Sequence, residues 1–181
     1  MFKKFLTTTA IFVGSLSTAF ASGSFYLGPA LTYTDYQSHD LHYVGLNPGI
    51  QAGYGGWARD WLYFAAEVFA TTGSITIGND KDNASLKTDY NYGISFIPMI
   101  NLDDVLFGYL RLGYIQTKFK SVSETKGAYQ IGAGLEGNLT ECWYLRGEYV
   151  YTPYTSVGSI GSVRSNQVTA SLIYRFESLL G

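Results

Sequence analysis

Residues 132–154 read GAGLEGNLTECWYLRGEYVYTPY. Two runs of alternation flank a short polar break. Before the break, Ala133, Leu135 and Leu139 share one phase with Tyr129 and Ile131 upstream, while Gly132, Gly134, Glu136 and Asn138 take the other. After it, Trp143, Leu145, Tyr149 and Tyr151 fall on one phase, and Arg146 and Glu148 on the other. Successive side chains of a strand point to opposite faces. Each run is therefore a strand with one apolar face and one small or polar face, and its charges lie on the second. A charge facing lipid costs about 2–4 kcal/mol at mid-bilayer. This segregation predicts a hairpin with hydrocarbon on one side and a polar interior on the other.

The same reading extends in both directions. Eight alternating stretches lie near 24–33, 44–56, 62–71, 88–99, 106–116, 129–139, 143–151 and 167–176. Their charged residues are Glu67, Asp89, Arg111, Glu136, Arg146, Glu148 and Arg175, all opposite the Leu/Ile/Val/aromatic phase of their own stretch. In lipid every backbone polar group needs a partner within the protein, so a spanning sheet must close on itself. The predicted fold is all-β, an eight-stranded antiparallel up-and-down transmembrane β-barrel. Eight strands leave an interior that side chains just fill. The seven charges are expected there as a structural Arg–carboxylate network, with Glu67 and Arg111 as the first pair and no continuous open pore.

The links between stretches alternate in length. Those near 58–61, 101–104 and 140–142 are short, and those near 35–43, 72–87, 117–127 and 152–166 are long. Short periplasmic turns and long external loops characterise outer-membrane barrels. The chain is expected to be integral to a bacterial outer membrane with both termini periplasmic. Trp57, Trp61 and Trp143 flank short links and are expected to form an aromatic girdle on that side. Pro98 is expected at a strand end, where a missing N–H is best tolerated.

Composition agrees. The 181 residues include 16 Tyr and 21 Gly but only 14% charged residues, where about a quarter is usual in soluble domains. Residues 1–21 read as a cleaved signal peptide: Lys3 and Lys4, then an apolar run, then Ala19-Phe20-Ala21. Residues 22–181 would form the barrel domain. Losing both lysines takes the net charge from −2 to −4, against a nucleic-acid partner. The single cysteine, Cys142, cannot form an internal disulfide and reads as a turn residue.

Other motifs give way to this pattern. Residues 132–137 match a dinucleotide fingerprint as a string, but strand alternation continues through them where the motif needs a helix. Residues 79–83 hint at a calcium loop and lack its central Gly and terminal Glu. No catalytic, cofactor or metal residues are expected. The alternative is a lipid A-modifying acyltransferase or deacylase using a loop histidine, His39 or His42, with Ser38, Asp40, Ser74 or Asp80 near it. Such acyltransferases carry an amphipathic helix ahead of the first strand, whereas here that strand begins within three residues of the cleavage site. Lys118, Lys120, Lys126 and Arg164 lie in long links, where lipopolysaccharide phosphates would attract them. Tyr36, Tyr43, Phe119 and Tyr154 are expected in the same links, as an outer girdle or as contacts to host surface molecules.

Residues 132–154 also resemble the late hairpin of small outer-membrane barrels in the OmpA/OmpX-like and opacity-protein superfamily. Glu136, Trp143, Arg146, Glu148 and Tyr149 match its pattern, and YLRLGY at 109–114 is similar to its fifth strand. The last strand resembles the family's barrel-assembly signal, with Val168, Ala170, Leu172 and Tyr174 at alternate positions before Phe176, although Glu177–Gly181 extend past it. The resemblance implies recognition by the barrel-assembly machinery. It is specific for fold and weak for function, because loops carry divergent roles on one scaffold. The leading expectation is a non-enzymatic surface barrel that supports envelope integrity, with adhesion or immune evasion as roles for its external loops.

Overall fold

The computed structural model describes residues 23–38, 41–73, 75–76, 88–119, 124–155 and 162–176. The predicted signal peptide, His39, Asp40, Ser74, the 79–83 run, Lys120 and Glu177–Gly181 lie outside these residues.

Eight long strands run in sequence: β1 (Ser24–Ser38), β2 (Leu41–Arg59), β3 (Leu62–Thr72), β4 (Thr88–Asp103), β5 (Leu106–Phe119), β6 (Glu124–Asn138), β7 (Trp143–Tyr154) and β8 (Val163–Arg175). Each pairs antiparallel with its sequence neighbours, and β1 pairs with both β2 and β8, so the sheet closes. Leu27, for example, faces Ala52 on one side and Tyr174 on the other. A two-residue strand, Ile75–Thr76, resumes pairing with β2 after β3 ends, one residue out of register. The result is the expected eight-stranded up-and-down barrel.

Facing positions follow the alternation. Phe25, Leu27, Leu31, Ile94, Phe96, Leu110, Leu112, Ile131, Leu135, Leu145 and Val168 are all exposed on the outer wall. Glu67, Arg111, Glu136, Arg146 and Glu148 are buried within. One strand breaks the pattern. A bulge at the start of β4 sets Thr88 against Phe119 but Tyr90 against Lys118. An extra residue shifts every side chain beyond it to the other face. Thr88 therefore takes the inward place expected for Asp89, and Asp89 lies exposed at the rim.

The strands are longer than expected at the end bearing the long links. Residues 39–40, 120–123 and 155–162 are all that separate three of the four hairpin pairs, and only the link at 73–87 stays long. Tyr36, Phe119 and Tyr154, expected on loops, instead lie in strands on the inward phase and are buried. Tyr36 packs edge-on to Phe119 at 6.0 Å, and Phe119 to Tyr154 at 5.4 Å. With Ile115, Ala128 and Val163 they close the bore at that end. Tyr43 lies in β2, and its side chain is outside the described set.

A second apolar cluster closes the short-turn end, formed by Tyr26, Tyr63, Ala65, Ile97, Met99, Phe107, Tyr109 and Ile173. Trp57, expected on an outer girdle, falls on the inward phase of β2. It packs against Tyr63 at 5.3 Å and Phe107 at 5.9 Å, and caps this cluster. Trp143 does sit on the outer wall, 5.0 Å from Tyr174. Pro98 is not a strand end: β4 continues to Asp103, and the pairing with β5 skips Ile97 and Pro98, where a backbone donor is missing.

Candidate functional site

The interior charges form one chain of contacts. Arg111 gives Nε to Glu148 at 2.8 Å and Nη2 to Glu67 at 2.6 Å. The other oxygen of Glu67 accepts from Arg146 Nη1 at 2.6 Å. Arg146 also donates Nη2 and Nε to Glu136 Oε2, at 2.7 and 2.9 Å. Glu136 in turn accepts from Arg175 at the short-turn mouth. Three arginines and three glutamates thus alternate as Glu148, Arg111, Glu67, Arg146, Glu136 and Arg175. Asp89 is the one predicted member absent from this chain. It pairs at the rim with Lys118 at 3.6 Å, both side chains more than a third exposed.

Neutral groups complete the belt. Tyr26 OH donates to Glu67 and Tyr109 OH to Glu148, each at 2.9 Å, while Ser95 Oγ accepts from Arg111 at 3.0 Å and from Gln130 at 3.1 Å. The Arg146 guanidinium lies 5.4 Å from the Tyr26 ring and 5.0 Å from the Tyr109 ring, and Arg175 lies over Tyr63 and Tyr144 at 4.9 and 4.3 Å. Desolvated cations over aromatic faces are stabilised by about 2 kcal/mol. Two glycines seat these phenols. A Cβ on Gly53 would collide with the Tyr26 ring, and one on Gly134 with the Tyr109 ring. The alternation identified Gly53 and Gly134 as inward but carried no sign of which aromatic ring each accommodates. Between the belt and the outer aromatic cluster lies a cavity of about 30 Å³, lined by Thr32, Asn47, Gln51, Asn91, Gln130 and Gln167 over Arg111 and Glu148.

Of the four predicted lipopolysaccharide contacts, the three within the described residues do not converge. Lys118 is on the outer wall of β5, held by Asp89 and 5.5 Å from the Tyr90 ring. Lys126 falls on the inward phase of β6 and is half-buried. Arg164 is exposed on the outer wall of β8, opposite Pro153 and Gln37. Lys120 lies outside the described residues. Among the assembly-signal residues, Val168, Leu172 and Phe176 are exposed on the wall, Tyr174 is half-buried there, and Phe176 N donates to Phe25 O at 2.9 Å. His42 lies in β2 opposite Gln37, with its side chain outside the described set. Cys142 sits in the turn between β6 and β7 and is half-buried. Among the described residues no group of His, Cys, Asp and Glu is arranged to hold a metal.

Similarity to known proteins agrees with this architecture. Neisserial surface protein A is 20% identical, with 85% of this chain and 99% of that chain covered and a TM-score of 0.55. The attachment invasion locus protein Ail of Yersinia pestis, solved with the heparin analogue sucrose octasulfate, is 17% identical over 86% of this chain and 99% of that one, with a TM-score of 0.56. AlkL, an outer membrane protein solved in DMPC bilayers, is 11% identical over 90% and 94%, with a TM-score of 0.52. At these identities the likeness is one of fold. No curated protein sequence matches the chain. The family model described as outer membrane protein beta-barrel domain matches residues 6–176. With a closed eight-stranded barrel and a matched model over nearly its whole length, the chain belongs to the outer membrane protein beta-barrel domain family and is integral to the bacterial outer membrane.

Proposed function

We propose that this chain is a non-enzymatic surface barrel that supports envelope integrity and presents its long-link end outward for adhesion or immune evasion. The supporting observation is the filled bore. An ion-pair chain crosses the bore below one apolar cluster and runs into the other, so the chemistry open to a partner is on the outer wall and rim. In this reading the termini and short turns face the periplasm. The terminal strand, with Val168, Leu172, Tyr174 and Phe176 on the wall, is what the barrel-assembly machinery engages. Outer-leaflet lipopolysaccharide surrounds the rim. Ail, whose structure holds a heparin analogue, motivates a sulfated host glycan as the first ligand class to try. None of the neighbours named above is described as a lipid A-modifying enzyme, and the histidine alternative gains no support from them.

The test is adhesion of bacteria displaying the barrel to host cells and heparin, against the same barrel with 73–87 and 155–162 shortened. Binding lost on shortening supports the adhesin role. Binding that is absent, or unaffected by shortening, removes it and leaves the envelope role, which is read from leakage of a periplasmic marker in a deletion strain.

A further inference from the structure

Four side chains around the cavity above the belt carry polar atoms that no described residue satisfies. They are Thr34 of β1, Asn47 and Gln51 of β2 and Asn91 of β4, all lining the same space of about 30 Å³. None is more than 3% exposed. Thr34 Oγ1, Asn47 Oδ1 and Nδ2, Gln51 Nε2 and Asn91 Oδ1 find no hydrogen-bond partner among the described residues. Asn91 donates its amide to Thr71 at 3.1 Å, so its oxygen is the atom that remains. Glu148 lines the space too. Tyr109 and Arg111 both donate to its Oε2, and Oε1 is the oxygen available there. Folded interiors pair their buried donors and acceptors, so five such atoms around one cavity point to a ligand.

Size and charge select that ligand. One water needs about 10–15 Å³ of such space, so about two fit. A cation would be drawn to the oxygens of Thr34, Asn47, Asn91 and Glu148 but would face the Asn47 and Gln51 amides and the Arg111 guanidinium. An anion would meet Glu148. The belt already balances three arginines with three glutamates, so an added ion would stand uncompensated in the bore. Mixed donors and acceptors instead match a small neutral molecule that both gives and takes hydrogen bonds. The neighbours of the cavity set its way in. On one side is Ile115, which packs with Tyr36, Phe119 and Tyr154 in the outer cluster. On the other, Arg111 is tied by charge-assisted bonds of 2.8 Å to Glu148 and 2.6 Å to Glu67. Packed rings part more readily than buried ion pairs. We infer that the cavity is a hydration site for about two water molecules, which bridge Asn47, Gln51, Asn91 and Glu148 and exchange through the outer cluster and not through the belt. The site stands whichever partner the rim meets.

The test uses the folded barrel in detergent micelles, observed by NMR. Cross-relaxation between water and the side-chain amides of Asn47 and Gln51 is expected, with the sign of water held by the protein. After transfer to D2O these amides should exchange slowly in the wild type and at least about tenfold faster in Phe119→Ala combined with Tyr154→Ala, because local opening governs the rate. Trp57→Ala, at the short-turn end, should leave that rate unchanged. Retention of the boiled-versus-unboiled gel shift shows that each variant is folded, and Phe119→Ala alone carries the comparison if the pair does not fold. In crystals, thallous ion reports a cation site and pressurised xenon a dry apolar cavity, and neither should occupy this one. Absence of water contact at both amides, or thallium or xenon in the cavity, overturns the hydration site. Exchange unchanged by opening the outer cluster, or accelerated by Trp57→Ala, overturns the route.

Discussion

A carboxylate that accepts from two guanidiniums and a phenol strands three donors when it is removed. Glu67 holds that position between Arg111, Arg146 and Tyr26, with no exposure to solvent. Breaking a buried pair by deleting one partner leaves an uncompensated charge and costs about 3–5 kcal/mol. Glu67→Leu is expected to lose that much in denaturant unfolding from lipid vesicles. Asp89→Asn, at the exposed rim pair, should lose no more than about 1 kcal/mol. Equal midpoints for Glu67→Leu and wild type would show that the belt is not structural. Gly134 tests the seating of its phenol. Valine there would push Tyr109 off Glu148 and Arg146, an overpacking cost of about 1–3 kcal/mol. In a Tyr109→Ala background the same substitution should cost less, because the two share one space. Additive effects would separate the glycine from the ring.

Leu110 and Arg111 are neighbours in β5, one 51% exposed on the wall and the other 3% exposed within. Leu110→Arg places a chemically identical group one residue away, on the lipid side. It is expected to lose about 2–4 kcal/mol in the same unfolding measurement, against about 0–1 for Thr125→Arg near the rim of β6. Matching losses at the two sites would contradict the depth assigned to the band. That one-residue contrast is why so much of the barrel was legible. Period-two alternation is local, and lipid enforces it strongly, so strands, facing and six of the seven interior charges follow from the chain alone. The Glu67–Arg111 contact was accessible too, since both lie mid-strand on the inward phase. Asp89 was not, because one bulged residue reverses parity without leaving a compositional mark. Above the lipid band the contrast between faces fades, so β1, β5 and β7 ran on unrecognised and Tyr36, Phe119 and Tyr154 looked like loop residues. Trp57 shows the same limit at the other mouth, where only the closed structure reveals that an inward ring caps the bore.

At the scale of the whole barrel, what matters is how many obstructions lie along the axis. The outer cluster closes one end with Tyr36, Phe119 and Tyr154, the belt crosses the middle, and Met99, Phe107 and Trp57 occupy the short-turn end. The outer cluster packs apart from the belt, whereas the belt and the short-turn cluster share Tyr26 and Tyr109, so opening the outer end leaves both of the others in place. The cavity of about 30 Å³ above the belt has room for only a water molecule or two and is not a passage. Purified barrel in planar bilayers is therefore expected to give no steady ion conductance. Phe119→Ala combined with Tyr154→Ala should remain silent as well, because the Arg111–Glu67–Arg146 contacts still span the bore. Adding Glu67→Ala to that pair removes the shared acceptor, leaves Arg111 on Glu148 and Arg146 on Glu136, and gives the network of three arginines and two glutamates an excess positive charge across a widened path. Any conductance gained should then favour anions, and that preference should be lost when Arg111 and Arg146 are also replaced by Gln, which leaves Arg175 facing Glu136 and Glu148. Discrete channel steps in the wild type, at an ion-pair geometry left intact, would refute the account of three serial seals and return function to the interior.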